Sequence, residues 1–158
     1  MSKDKLDRTD LQILKKLQEN GKITNLQLSE EIGLSPAPTL ERVRKLEAAK
    51  IITGYHATVD ESTLGIGIKA FIQLSLGRQA ENFISEFKDS INMIQEIVEC
   101  YQVTGTCDFL LKIEVADIPA FEDLITNKLS KVEEIGNMQT LVILSQPKKS
   151  MVVPTSYE

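Results

Sequence analysis

The sequence predicts an α+β chain in two parts, three short helices followed by a βαββαβ unit. Three observations carry this. Residues 1–54 hold three apolar stripes at helical spacing, each opened by a capping residue. From Lys69 onward, strand-like runs give way twice to helical ones. The charge divides at the same place, with residues 1–54 at net +2 and residues 55–158 at net −7. Charge asymmetry between halves points to different partners for each.

The first helix starts at Asp7, with Leu6 and Leu11 forming a hydrophobic staple around the cap and Asp10 in the capping-box position. Leu11, Leu14 and Leu17 recur at helical spacing, and Asn20-Gly21 stops the run. The second helix repeats the device, with Thr24 and Gln27 as the box and Ile23 with Leu28 as the staple. Gly33 ends it. Ser35 caps the third helix, and Pro36 suits its first position because the missing N–H has no partner there anyway. Leu40, Val43 and Leu46 mark its inner face.

Tyr55–Asp60 reads as a short strand, followed by a hinge at Leu64-Gly65-Ile66-Gly67. Then come a strand at Lys69–Leu76, a helix at Ala80–Phe87 and a strand at Ile94–Thr104. A turn at Gly105–Asp108 leads to a strand at Phe109–Ala116. A helix at Ile118–Val132 and a strand at Met138–Ser145 follow, and Met151–Val153 adds a candidate edge strand. This order is the ferredoxin-like split βαβ arrangement. The expected domains are therefore 1–54, a strand and hinge over 55–67, and 68–158.

Apolar residues stand side by side in Phe109-Leu110-Leu111 and Leu141-Val142-Ile143-Leu144, so both sheet faces are expected to be covered. Two helices cover one face. A second copy of the chain is expected on the other, giving a homodimer.

The hydrophobic fraction of 42% and charged fraction of 26% fit a globular chain. No apolar run approaches the roughly 18 residues a membrane span needs, and Met1–Asp10 is too polar for a signal peptide, so the expected compartment is the cytoplasm. Cys100 and Cys107 are expected as buried or half-buried packing residues. One histidine, His56, and two cysteines cannot supply the usual four zinc ligands. No nucleophile–base pair or phosphate loop appears, so neither enzyme activity nor a metal or other cofactor is expected.

Two helices joined across Gly33-Leu34 form a helix-turn-helix pattern, whose second helix enters the major groove of double-stranded DNA by its first turn. That turn carries Ser35, Ala37, Pro38 and Thr39. The small residues permit close approach, and Thr39 suits a thymine methyl or a hydrogen bond. Arg42 and Arg44 can reach bases or phosphates, and Lys45, Lys22 and Lys50 phosphates. The same pattern also fits a plain three-helix core with solvated charges, and Glu41 and Glu47 oppose DNA.

The run Leu34–Glu47 (LSPAPTLERVRKLE), the start Leu6–Asp10 (LDRTD) and the strand–turn–strand run Glu99–Lys112 (ECYQVTGTCDFLLK) resemble the Lrp/AsnC (feast/famine) family of transcription regulators. The resemblance spans Leu6 to about Val153. It implies a winged helix-turn-helix domain, hinged to a domain that senses a small effector, usually an amino acid. It also implies dimers that assemble further, often to octamers. By position it marks Thr104, Gly105, Thr106 and Asp108 on the turn, and Ser130 near the end of the second helix of that domain, as effector contacts. Exposed turn amides receive a carboxylate, and an aspartate pairs with an ammonium. An ordinary hairpin turn, with Asp108 bonding its own backbone, fits the residues as well. Two other functions also fit: an architectural DNA binder without sequence specificity, and an effector-sensing protein-interaction module.

Overall fold

The computed structural model describes residues 6–77 and 81–154. It divides into two units, one taking the residues up to Thr58 together with those from Lys148 onward, the other Val59–Pro147.

In the helical unit, α1 (Arg8–Glu19) opens on a capping box. Asp7 Oδ1 accepts from the Asp10 amide at 2.8 Å, and Asp10 Oδ2 accepts from the Asp7 amide at 3.2 Å. Thr24 and Gln27 make the corresponding box for α2 (Asn25–Ile32). Gly33 ends α2 at φ 70°, a left-handed conformation that a side chain makes costly. α3 (Pro36–Ala48) follows two residues later. Ser35 occupies its N-cap position, yet the side chain makes no capping bond. The core is Ile13, Leu28 and Leu46, with Leu6, Leu14, Leu17, Ile23, Ile32, Val43 and Ile52 packed around it.

Three expectations for this unit change. Thr39, not Leu40, lies on the inner face of α3 beside Val43 and Leu46, and Leu40 is exposed. At 100° per residue, positions 39, 43 and 46 make a narrower stripe than 40, 43 and 46. The segment Tyr55–Asp60 forms no strand. Asp60 instead opens a turn, accepting from the Ser62 amide and from the Ser62 and Thr63 hydroxyls. The tail from Lys148 joins this unit, not the sheet, and Met151–Val153 is not an edge strand. Its Val153 amide donates to Gln18 Oε1 at 2.6 Å and its carbonyl accepts from Gln18 Nε2 at 3.3 Å. One side-chain amide thus replaces the strand neighbour that the tail lacks.

The second unit contains β1 (Ile68–Leu76), α4 (Glu81–Asn92), β2 (Ile97–Gln102), β3 (Phe109–Val115), α5 (Ile118–Asp123) and β4 (Ile135–Val142). The predicted start of α4 at Ala80 lies outside the described residues. Sheet order is β2-β3-β1-β4, antiparallel throughout. This is the expected split βαβ topology, with β3 inserted between the parallel pair β1 and β2. Ala70, Ile72 and Leu74 of β1 and Phe109, Leu111, Ile113 and Val115 of β3 point to one face. There they pack on Phe87 and Ile91 of α4 and on Leu124 and Leu129.

Leu124 and Leu129 explain a second departure. The predicted regular helix Ile118–Val132 widens after α5 into a π turn at Leu124–Lys128 and tightens again at Leu129–Lys131. Residues five apart on a regular helix face about 140° away from each other. The widened turn brings both leucines onto the sheet. β4 begins three residues earlier than expected, because the irregularity at Ser75/Leu76 lets Ile135 pair with Leu76. Leu144, predicted inside a strand, is 95% exposed.

The opposite sheet face mixes charge with apolar patches. Lys112 pairs with Glu99 at 2.9 Å and Glu114 at 3.2 Å, and the Tyr101 hydroxyl donates to Glu99. Tyr101 and Leu141 are exposed there, with Phe71 and Leu110 half-buried. Cys100 is exposed on β2, contrary to expectation, because β2 is an edge strand; Cys107 is half-buried.

Candidate nucleic-acid interface and ligand turn

The Gly33 turn delivers α3 with its first turn outward. Ser35, Ala37 and Pro38 are all exposed there. The Asn25 side chain, at the start of α2, donates to the Pro36 carbonyl at 2.8 Å and fixes the entry to α3. Arg44 and Lys45 are exposed one to two turns on, and Lys22 is exposed in the turn between α1 and α2.

Thr39 is not available to DNA. It is fully buried, and its hydroxyl donates to the Ser35 carbonyl at 3.0 Å. A buried hydroxyl needs such a partner, and the carbonyl one turn back supplies it. Arg42 also has a use inside the unit. Its Nη1 donates to Asp7 Oδ2 and to Asp10 Oδ1, both at 2.7 Å. The Asp10 amide, and then Arg42, hold the Asp7 carboxyl below the usual carboxylate range. Asp7 and Asp10 in turn raise the Arg42 guanidinium.

Lys50 is exposed but strained, with φ 57°. It stands just past α3 where glycine is usual, and the Lys50 and Ile51 amides donate to the Glu47 and Leu46 carbonyls at 3.0 Å each.

Other polar links position the helices, and local sequence patterns do not reveal them. Lys16 on α1 meets Glu31 on α2 at 2.8 Å. The Tyr55 hydroxyl donates to Glu47 at 2.9 Å, tying the segment after α3 back to its last turn. Burial, and then the Glu47 bond, push the Tyr55 phenol up to about 12.

In the sheet unit the β2–β3 turn exposes Thr104, Gly105 and Thr106, with Gly105 at φ 125°. Asp108 behaves differently from the others. Its carboxylate accepts from the Leu76 amide at 2.8 Å, while its own amide donates to the Leu74 carbonyl at 2.8 Å. It braces the turn against the end of β1. Ser130 is exposed, with its hydroxyl donating to the Ile125 carbonyl at 2.6 Å across the widened turn. The start of β4 lies at the same sheet end as the turn, since Gly77 beyond β1 bonds the Glu134 carbonyl at 2.9 Å. Among the described residues, no cluster of metal-ligating side chains exists, and no helix is long and apolar enough to cross a membrane.

Residues 69–153 match the family model for the Lrp/AsnC ligand binding domain, and residues 6–53 that for a winged helix-turn-helix DNA-binding domain. The chain belongs to the Lrp/AsnC family. Leucine-responsive regulatory protein of Klebsiella pneumoniae is 37% identical to this Lrp/AsnC chain over 145 residues, covering 92% of it and 88% of the relative. A Neisseria meningitidis transcriptional regulator, solved in complex with L-Met, superposes with a TM-score of 0.91 at 35% identity over 95% of this chain and 97% of that one. Escherichia coli AsnC gives 0.86 at 29% identity, over 95% and 99%. The Lrp/AsnC chain is accordingly a DNA-binding transcription regulator with a ligand-binding domain, and not an enzyme.

Proposed function

We propose that this regulator reads a double-stranded DNA sequence through the first turn of α3, and that an amino acid bound at the β2–β3 turn alters its assembly and so its DNA affinity. The carrying observation is the exposed surface of Ser35, Ala37, Pro38, Arg44 and Lys45 on a helix fixed in place by the Gly33 turn and the Asn25–Pro36 bond. Lys22 and Lys50 add phosphate contacts. Thr104, Gly105 and Thr106 offer backbone and hydroxyl groups to a carboxylate, and Ser130, exposed just beyond the widened turn, is the further contact in this reading. Asp108 holds the turn in shape. L-Met in the Neisseria relative makes an amino acid the first class to test. The open sheet face, with Phe71, Leu110, Tyr101 and Leu141, pairs with a second copy, and dimers build larger assemblies up to the octamer. The three relatives named above are bacterial, and we place the protein with its DNA in the cytoplasm.

The test is operator binding across a salt series. Each phosphate contact contributes about −0.9 to the slope of log K against log salt. Arg44→Ala and Lys45→Ala should each flatten the slope by about that amount; a slope that ignores both variants removes α3 from DNA. Light scattering with a panel of amino acids tests the sensor. A ligand shifts assembly only by its difference in affinity for the two states, so an unmoved mass with every amino acid overturns the effector reading.

A further inference from the structure

We propose that Arg42 is a positioning residue for DNA reading, locking α3 to the capping box of α1, and that it does not itself contact DNA. The inference rests on the reading of α3 given above. The geometry divides four carboxylate oxygens evenly. Asp7 Oδ1 and Asp10 Oδ2 cap the helix, while Asp7 Oδ2 and Asp10 Oδ1 both accept from Arg42 Nη1. Every oxygen of the box therefore has a role, and two of the four tie α1 to α3.

Electrostatics argues against phosphate contact. One guanidinium between two carboxylates leaves a group of net charge −1, which repels a phosphate. The Arg42 side chain is 34% exposed and lies along a cavity with Leu6, Asp10, Pro38 and Lys45. The exposed residues Arg44 and Lys45 supply the positive charge instead.

Leverage explains why the lock matters. Ala37 lies five residues before Arg42, about 7.5 Å along the helix axis. A tilt of roughly 10° about the buried Leu46, which lies nine residues or about 13.5 Å from Ala37, moves the reading turn by about 2.3 Å, enough to misplace base-edge hydrogen bonds, and Arg42 stands between that pivot and the reading turn. The core beneath α3 is small, so the Arg42 bonds are an added restraint on that tilt.

The deciding experiment is a double-mutant cycle on DNA binding with Arg42→Gln, Asp10→Asn and the pair, measured on operator and on random DNA across a salt series. Coupled residues give non-additive effects. Arg42→Gln should lower the operator-to-random affinity ratio about tenfold, within the range set by one misread base pair. Asp10→Asn should lower it in the same direction, and the pair should lose no more than Arg42→Gln alone. The salt slope should stay at the wild-type value in all three. A slope flattened by about 0.9 in Arg42→Gln means a phosphate contact and overturns the proposal. So do additive losses, or an unchanged ratio. If Arg44→Ala and Lys45→Ala also leave the slope untouched, the reading of α3 itself has failed, and the proposal falls with it. Circular dichroism checks each variant's fold; should Arg42→Gln melt, Arg42→Lys takes its place in the cycle, and it should recover part of the ratio.

Discussion

The two units are held together by different forces. Among the described residues, the sheet unit buries eleven apolar side chains in one cluster, with Phe87 and Phe109 ring centroids 4.6 Å apart. Among its described residues the helical unit buries three in its cluster, and ties its helices pairwise through polar links: Lys16–Glu31, Asn25–Pro36, and Arg42 with Asp7 and Asp10. Apolar burial carries no charge to titrate or screen, whereas exposed ion pairs respond to pH and are screened by salt. The sheet unit has such pairs too, Lys112 with Glu99 and Lys128 with Glu96, but its larger apolar cluster makes them a smaller share of its stability than in the unit that meets DNA.

The largest expected effect breaks the sheet side of this contrast. Phe109→Ala should cost the sheet unit about 3–5 kcal/mol, read by segment-resolved hydrogen exchange, with α1–α3 protection kept. Acid should act the other way round. The Asp7 carboxyl is lower in the folded unit than its ordinary value of 3.8. Its contribution to stability is thus complete above about pH 4 and is lost as pH falls through the lowered value. Thermal melts between pH 3 and pH 7 should show both units weakening as the pH falls below about 4.5, since Glu96 and Glu99 of the sheet unit are held below their ordinary value by Lys128 and by Tyr101 and Lys112, with the larger fractional loss in the helical unit and its smaller core. Asp7→Asn should flatten that dependence, and an equal response of both units would refute the contrast.

Lys50→Gly should stabilise the helical unit by about 1 kcal/mol, because glycine adopts φ 57° without the side-chain clash. Lys50→Ala should give no such gain. The smallest effect is expected from Gln18→Ala, roughly 0.5–1 kcal/mol for two exposed hydrogen bonds. Its sign is faster exchange of the Val153 amide.

What the sequence disclosed depended on range. Asp7 with Asp10 and Thr24 with Gln27 are partners three residues apart, and both capping boxes were readable as local patterns. The strand order followed from the succession of elements. Arg42 and Asp7 are 35 residues apart, and nothing near Arg42 distinguishes a phosphate contact from an internal clamp. Thr39 and Leu40 competed for the same inner face, and the choice belongs to α1 and α2, not to α3. β4 slid by three residues because β1 sets its register through the irregularity at Ser75/Leu76. At the ligand turn the exposed residues were legible as a turn, but the brace between Asp108 and Leu76 needs β1 placed beside it. The tail's attachment to Gln18 left no pattern at all.

That attachment has a consequence for biosynthesis. Gln18 and Val153 are 135 residues apart. A ribosome adding roughly 5–20 residues per second delivers the second partner about 7 to 27 s after the first. The three helices emerge early, yet their unit gains its final strand-like strap only after the whole sheet has been translated. The part of the chain that is made first is the last to be finished.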